Sequence, residues 1–272
     1  MRAGIFTNRS RDEGLKITKE LAARLVSAGI GCLLHASCAL DGYGTFDERS
    51  AERPDVMITV GGDGTILRIV GYCAEYGIPI LGLNMGNVGF LTELEPSDIA
   101  RIPDILRNKE YTVDERSLLK VSFGRKTVYG LNEAVVMRKR LGRMLELTAE
   151  IGGRTVDRYR CDGYIIATPT GSTAYSLSAG GPVIAPDTGA FALTPVNPHS
   201  LHSRPLVVSD RETIVLHIED GGAAVIVDGR DEGEAHGTVR VERADRAAGF
   251  IWLKESNFYS KLLLKLNKWS VT

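Results

Sequence analysis

One stretch limits what this chain can fold into: Val60-Gly61-Gly62-Asp63-Gly64-Thr65. Before it stands Asp55-Val56-Met57-Ile58-Thr59, an apolar, β-branched run of the kind buried in a parallel sheet. After it, Ile66-Leu67-Arg68-Ile69-Val70 reads as the start of a helix. Three glycines and one carboxylate therefore fall where a strand turns into a helix. That is the carboxyl edge of an open α/β sheet, where ligands of such sheets bind. Glycines let backbone N–H groups come close to a ligand, and a helix N-terminus favours anions. Asp63 is out of place in such a cradle, because a carboxylate repels phosphate unless a metal or a hydroxyl lies between them. Two readings of it stand: a side chain that caps the helix, or a carboxylate aimed at a hydroxyl being phosphorylated.

The residues around the turn alternate between strand and helix patterns. Residues 3–7 and 30–35 read as strands. Between them residues 14–28 carry Leu15, Leu21, Leu25 and Val26 on a helical period, ended by Gly29. Residues 38–53 are polar and glycine-bearing and read as a loop. Residues 56–60 are the third strand and 78–83 the fourth. The order predicts a parallel sheet with helices on its faces. The fourth strand runs into Gly82-Leu83-Asn84-Met85-Gly86-Asn87-Val88-Gly89-Phe90-Leu91, a second glycine-rich stretch that reads as the facing wall of the same crevice. Pro96-Ser97-Asp98 predicts a helix start, running to about Lys109 and interrupted at Pro103.

After Tyr111 the pattern changes. Residues 118–123, 126–137, 145–151, 154–159, 164–167, 206–208, 213–218, 223–227, 238–241 and 250–253 are short strand-like runs between glycine turns. Many strands without long helices imply antiparallel sheets. The expectation is an α/β domain over 1–98, joined by a C-terminal helix within 256–272, and a β-rich domain over 99–255. That last helix has Ser256 as its N-cap, with Phe258, Leu262, Leu263 and Leu266 as an apolar stripe to bury on the first domain.

With 272 residues the chain can build such a core. A formal net charge of -1 gives no global basic field for nucleic acid, and no apolar run reaches the length of a membrane span or a signal-peptide core. Cys32, Cys38, Cys73 and Cys161 form no C-x-x-C pair, which fits reduced thiols in a cytoplasm.

Two stretches in the β-rich part stand out. In Leu131-Asn132-Glu133-Ala134-Val135-Val136 an amide and a carboxylate interrupt an apolar strand, either satisfied by neighbouring backbone or hydrogen bonding a ribose or base. In residues 160–176 a strand opens into the hydroxyl run Thr168-Pro169-Thr170-Gly171-Ser172-Thr173-Ala174-Tyr175-Ser176, which suits a polar ligand better than a single helix cap. Arg138-Lys139-Arg140 reads as a solvated charge run and His199 as structural.

Together Gly61-Gly62-Asp63-Gly64-Thr65, Asn132-Glu133, Asp162-Gly163 and the 168–176 run closely resemble the NAD kinase family. Gly86-Asn87-Val88-Gly89-Phe90-Leu91 and Pro198-His199-Ser200-Leu201 extend the likeness. The glycine turn alone is shared with diacylglycerol and sphingosine kinases and, more loosely, phosphofructokinases. The hydroxyl run with the Asn-Glu pair is far more specific. The resemblance implies a Rossmann-like open parallel sheet followed by a β-sandwich-like domain. It implies phosphorylation of the 2′-hydroxyl of the adenosine ribose of NAD by ATP or inorganic polyphosphate, with Mg2+ or another divalent cation, in a cytoplasmic homodimer or homotetramer. A lipid kinase and a non-catalytic dinucleotide sensor are the alternatives, and neither nucleic acid nor membrane is an expected partner.

Position by position, the resemblance implies Asp63 as general base, with Gly62, Gly64 and Thr65 cradling phosphate and Arg68 meeting its charge. Asn132 and Glu133 would hold the adenosine. Arg143 and Arg160 match basic positions at the nucleotide site, and Asp162 would reach the nicotinamide end. Thr173, Ala174, Tyr175 and Ser178 would line the adenine and ribose pockets. No residue of the chain is expected to be a metal ligand. One departure is Arg230 in Val227-Asp228-Gly229-Arg230, where many members carry Gln.

Overall fold

The computed structural model describes residues 1–86, 89–140, 142–219, 221–253 and 257–269. In chain order its elements are β1 (Arg2–Thr7), α1 (Lys16–Ser27), β2 (Gly31–His35), β3 (Gly44–Phe46), β4 (Val56–Gly61), α2 (Asp63–Tyr76), β5 (Ile80–Asn84) and α3 (Ile102–Asn108). There follow β6 (Thr112–Phe123), β7 (Lys126–Gly130), β8 (Glu133–Met137), β9 (Leu145–Ile151), β10 (Arg154–Cys161), β11 (Gly163–Ala167) and α4 (Tyr175–Ser178). The rest comprises β12 (Ala190–Val196), β13 (Leu206–Ser209), β14 (Ile214–Ile218), β15 (Ala223–Val227), β16 (Arg230–Ala235), β17 (Thr238–Trp252) and α5 (Phe258–Trp269).

The chain divides into two compact units, 1–115 with 248–272, and 116–247. These boundaries differ from the expected 98/99 and 255/256. The helical turns from Pro96 to Asn108 and the start of β6 stay with the first unit, and so does the end of β17, where Phe250 pairs with Ile80. A 15-residue strand in place of two short runs carries the chain across the boundary.

In the first unit β3, β2, β1, β4 and β5 form a parallel sheet in that order. β4 and β5 are buried at every position, as the unbroken apolar runs require. α2 sends Ile66, Ile69, Val70 and Cys73 inward and ends at Gly77, left-handed at φ 63°. β3 lies inside the expected loop 38–53. Its one inward residue, Phe46, is 2% exposed and meets the rings of His35 and Tyr72, a single anchor that leaves no periodicity to read. At Pro96 a 3-10 turn to Arg101 precedes α3, and Pro103 sits in the first turn of α3, where its missing N–H is no loss.

α5 docks on the first unit, but not by the expected stripe. Leu263 and Leu266 are 60% and 38% exposed, while Phe258, Lys261, Leu262 and Lys265 turn inward. Ser256 lies outside the described residues. Among the described residues no helix is long and apolar enough to cross a membrane.

The second unit is an antiparallel sandwich. One sheet runs β10-β9-β14-β17, with β6 and β7 beside β17; the other runs β13-β12-β11-β8-β15-β16. Leu147, Ile214, Leu216 and Val239 of the first pack against Val136, Tyr164, Ile166, Phe191 and Val225 of the second. The strand-like run 126–137 is two strands, β7 and β8, broken at Leu131 and Asn132. β12 was not legible in the sequence because Pro195 argues against an inner strand. It is tolerated because β13 pairs only with residues 190–193, leaving Pro195 past the end of that ladder. The outer faces of β8, β11 and β12 are covered too, by Ile184 packed with Val135, Ile165 and Ala192. All four cysteines are free, and burial pushes the Cys161 thiol up to about 12.

Candidate active site

In the first unit the site is built at the β4–α2 junction. Gly62 is the N-cap of α2, and its carbonyl accepts from Thr65 N–H at 2.8 Å while Thr65 Oγ1 accepts from Gly62 N–H at 3.3 Å. The close approach explains Gly61, because any Cβ there would collide with Thr65 Oγ1. Asp63 is the first helical residue, and its carboxylate does not cap α2. Its two oxygens accept from Phe90 N–H at 2.8 Å and Leu91 N–H at 3.1 Å. Gly89 makes this possible, since a Cβ on it would run into Asp63 Oδ1 and Thr92 Oγ1. The two glycine-rich stretches thus meet as facing walls, joined also by Met85 N–H to Gly61 O at 2.6 Å. Buried Asn84 braces the second wall through Gly86 O at 3.0 Å. Asn87 and Val88 lie outside the described residues.

Gly64 is exposed with nothing close to it, one turn before Arg68, whose guanidinium lies 5.4 Å from the Phe6 ring centroid. Lys265 of α5 is 3.6 Å from Asp63 Oδ2. It was missed because a lysine in an amphipathic terminal helix reads as solvated.

In the second unit the organising residue is Asp228, also missed. It is 9% exposed, at φ 49°, and its carboxylate accepts from Leu131 N–H (2.7 Å), Asn132 N–H (2.7 Å) and Glu133 N–H (3.2 Å). Burial raises its pKa and the three N–H groups oppose that rise. The Asn-Glu pair is thereby held at the break between β7 and β8. Glu133 is 7% exposed, and its Oε2 is buried with no partner. Burial first, then the charge of Asp228, pushes its carboxyl up to about 7, against a lowering hydrogen bond from Tyr175 N–H. Gly171 brings the hydroxyl turn onto this pair, because a Cβ there would strike the Asn132 backbone.

The hydroxyls themselves are mostly scaffold, contrary to the reading of the run as ligand-facing. Thr168 Oγ1 donates to Leu131 O at 2.6 Å. Ser172 Oγ donates to Pro169 O at 2.6 Å and accepts from Ile184 N–H at 2.9 Å. Thr173 Oγ1 donates to Thr170 O, and Ser176 pairs with Thr194. Along the turn Ala174 is half-buried, and Tyr175 and Ser178 are exposed.

Asn132, Glu133, Thr173, Ala174 and Tyr175 are therefore one cluster, but Asp162 is not part of it. It stands at the opposite end of β11 from Thr168, roughly 20 Å away at about 3.3 Å per residue. There it pairs with Arg138 at 2.9 Å and accepts from Asn197 at 3.1 Å. Arg138 and Lys139 are thus paired, to Asp162 and Glu234, rather than simply solvated. Arg160 pairs with Glu146 at 3.1 Å, Arg143 is exposed on the β8–β9 connection, and Arg230 lies 3.7 Å from Glu232. His199 is exposed, its backbone N–H on Arg160 O.

A carboxylate fixed by backbone at a glycine-lined helix N-terminus is suited to taking a hydroxyl proton beside bound phosphates, which defines a phosphotransferase. Known proteins carry the assignment further. Residues 3–111 match the ATP-NAD kinase N-terminal domain and residues 131–253 the ATP-NAD kinase C-terminal domain. The chain belongs to the NAD kinase family. It is 38% identical over 275 residues to the NAD kinase of Methanothermobacter thermautotrophicus, covering 98% of this chain and 96% of that one. It is 36% identical to that of Symbiobacterium thermophilum, with 95% and 96% covered. An NAD kinase from Archaeoglobus fulgidus, solved in complex with ATP, has a TM-score of 0.80 at 30% identity over 98% of this chain and 99% of its own. Yeast NADH kinase, solved with NADH, shares the fold with a TM-score of 0.89 at 23% identity, over 98% and 87%.

Proposed function

We propose that this NAD kinase family phosphotransferase moves the terminal phosphoryl group of ATP, or of inorganic polyphosphate, to the 2′-hydroxyl of the adenosine ribose of NAD, giving NADP. The observation that carries the reading is Asp63, whose carboxylate is held by a neighbouring loop and not spent on its own helix. Asp63 takes the proton of the 2′-hydroxyl. The ribose oxygen bonds to the γ-phosphorus, the bridging P–O bond breaks, and ADP leaves with its electron pair. Free N–H groups at Gly62, Gly64 and Thr65 and the positive end of α2 receive phosphate oxygens, and Arg68 adds charge. Such catalysis is largely positioning and electrostatics. The ATP complex of the 30%-identical relative supports the donor.

Asn132 and Glu133 hold the ribose and base, with Thr173, Ala174, Tyr175 and Ser178 along the pocket. The orphan oxygen of Glu133 supports this, since a buried acceptor without a partner is costly until a donor arrives. Asp162, Arg143 and Arg160 lie at the far end, where an extended dinucleotide presents its nicotinamide half. The divalent cation, Mg2+ in the simplest case, enters as the donor's counter-ion on the phosphates. Among the described residues no three His, Cys, Asp or Glu side chains converge as a group that could hold it. The same reading has the enzyme working in the cytoplasm as a homodimer or homotetramer.

The test is incubation of purified protein with NAD, ATP and magnesium, followed by NADP formation, beside the same mixture with diacylglycerol vesicles. NADP and no phosphorylated lipid is the expected result. Lipid turnover without NADP, or NADP binding without turnover, overturns the reading.

A further inference from the structure

Two lysines lie four residues apart on the docked face of α5, and only one has a structural explanation. Lys261 donates to Thr92 O at 2.9 Å and Glu93 Oε2 at 2.8 Å and stands 3.9 Å from the Trp252 ring, so its ammonium clamps the helix. Lys265, one turn later, is 4.0 Å from the Phe90 ring and 3.6 Å from Asp63 Oδ2, with its side chain only 20% exposed. That separation suits an ion pair but exceeds a hydrogen bond. The ammonium therefore faces the Asp63 carboxylate with its donors unspent on it. Phe90, the same residue whose N–H holds Asp63, presents its ring to the lysine. An ion pair between partly exposed groups adds little stability, so anchoring the helix does not explain a cation drawn inward here.

We propose that Lys265 is a catalytic residue of the phosphoryl transfer, its ammonium binding oxygens of the phosphoryl group in flight while Asp63 takes the acceptor's proton. The inference rests on the reading of Asp63 as general base. A hydroxyl that gives its proton to Asp63 comes within about 3 Å of it, and the reacting phosphorus stands roughly 3–3.5 Å beyond the hydroxyl oxygen. A flexible lysine that already reaches the same carboxylate oxygen is in range of the phosphoryl oxygens. The O2′–P bond forms, the bridging P–O bond of the donor breaks with its electron pair leaving on ADP, and the proton passes from O2′ to Asp63. Lys265 stays protonated throughout and supplies charge where the transition state needs it.

The experiment compares full-length parent, Lys265→Gln, Lys265→Arg and Asp63→Asn by steady-state NADP formation, with thermal melting of each. Lys265→Gln is expected to lose about 10²–10³ in kcat, as for removal of one preorganised donor. Its KM for NAD should stay within threefold and its melting temperature near the parent's, and Lys265→Arg should recover most of the rate. If Asp63→Asn is inactive while Lys265→Gln turns over within threefold of the parent, the role of Lys265 is overturned and that of Asp63 survives. If Lys265→Gln loses rate together with melting temperature and Arg restores neither, Lys265 only docks α5, which also overturns the proposal. Full turnover by Asp63→Asn removes the general base itself, and the role of Lys265 with it.

Discussion

Replacing Glu133 with Gln should make the protein more stable at pH 8 and a weaker binder of NAD. The carboxyl is 7% exposed and pushed up to about 7, from an ordinary 4.5, by burial and then by the charge of Asp228. Below about pH 4.5 it is protonated in both folded and unfolded chains, and the folded state bears no penalty. Between 4.5 and 7 the unfolded chain ionises while the folded one keeps its proton, so stability falls. Above 7 the loss is complete. At about 1.4 kcal/mol for each pH unit separating the two values, it amounts to roughly 3 kcal/mol. Gln is neutral at every pH and escapes it. Urea unfolding of both proteins at pH 5 and pH 8 measures the effect. The advantage of Gln should be about 2–3 kcal/mol larger at pH 8 than at pH 5, whatever its amide gains or loses at both. At pH 8 the same variant should bind NAD more weakly by about 1.5–3 kcal/mol, the range for charged hydrogen bonds. An equal stability difference at both pH values would refute the buried, proton-holding carboxyl. Unchanged NAD affinity would make the Asn-Glu pair purely structural.

Two further outcomes follow from the same geometry. Gly89→Ala forces a Cβ against Asp63 Oδ1 and Thr92 Oγ1, so kcat should fall at least tenfold, about 1.4 kcal/mol of barrier, with far-UV circular dichroism unchanged; full activity would show that the loop need not sit on Asp63. Ser172→Ala removes a buried hydroxyl that bonds Pro169 O and Ile184 N–H, so it should cost about 1–3 kcal/mol of stability and leave NAD affinity alone. A loss of affinity with unchanged melting would return that hydroxyl to the ligand.

What the sequence disclosed and what it hid have physical causes. The parallel strands were legible because β4 and β5 are buried on both faces and therefore written as unbroken apolar runs. The turn at Asp63 was legible because only glycine fits beside Thr65. Asp228 was not, because it acts across roughly 95 residues of chain on three N–H groups, and local pattern carries no trace of that. The hydroxyl run was visible but misread: Thr168, Ser172 and Ser176 face carbonyls and one another, and composition cannot say which way a hydroxyl points. Lys265 hid behind the rule that lysines on an amphipathic helix face water, while the apolar Leu263 and Leu266 took the outside.

The central claim is tested most directly by kcat for Asp63→Asn, measured as NADP production at fixed pH and magnesium, with NAD affinity from calorimetry on the same preparations. The amide is nearly isosteric and can still accept from the 89–91 loop, so the turn should survive. It cannot take the 2′-hydroxyl proton. The account predicts a fall of roughly 10²–10⁴ in kcat, about 3–5 kcal/mol of barrier, with NAD affinity nearly unchanged because the loss falls on the transition state. A kcat within about threefold of the parent, far short of that range, would contradict it and leave Asp63 as a residue that merely fastens the loop.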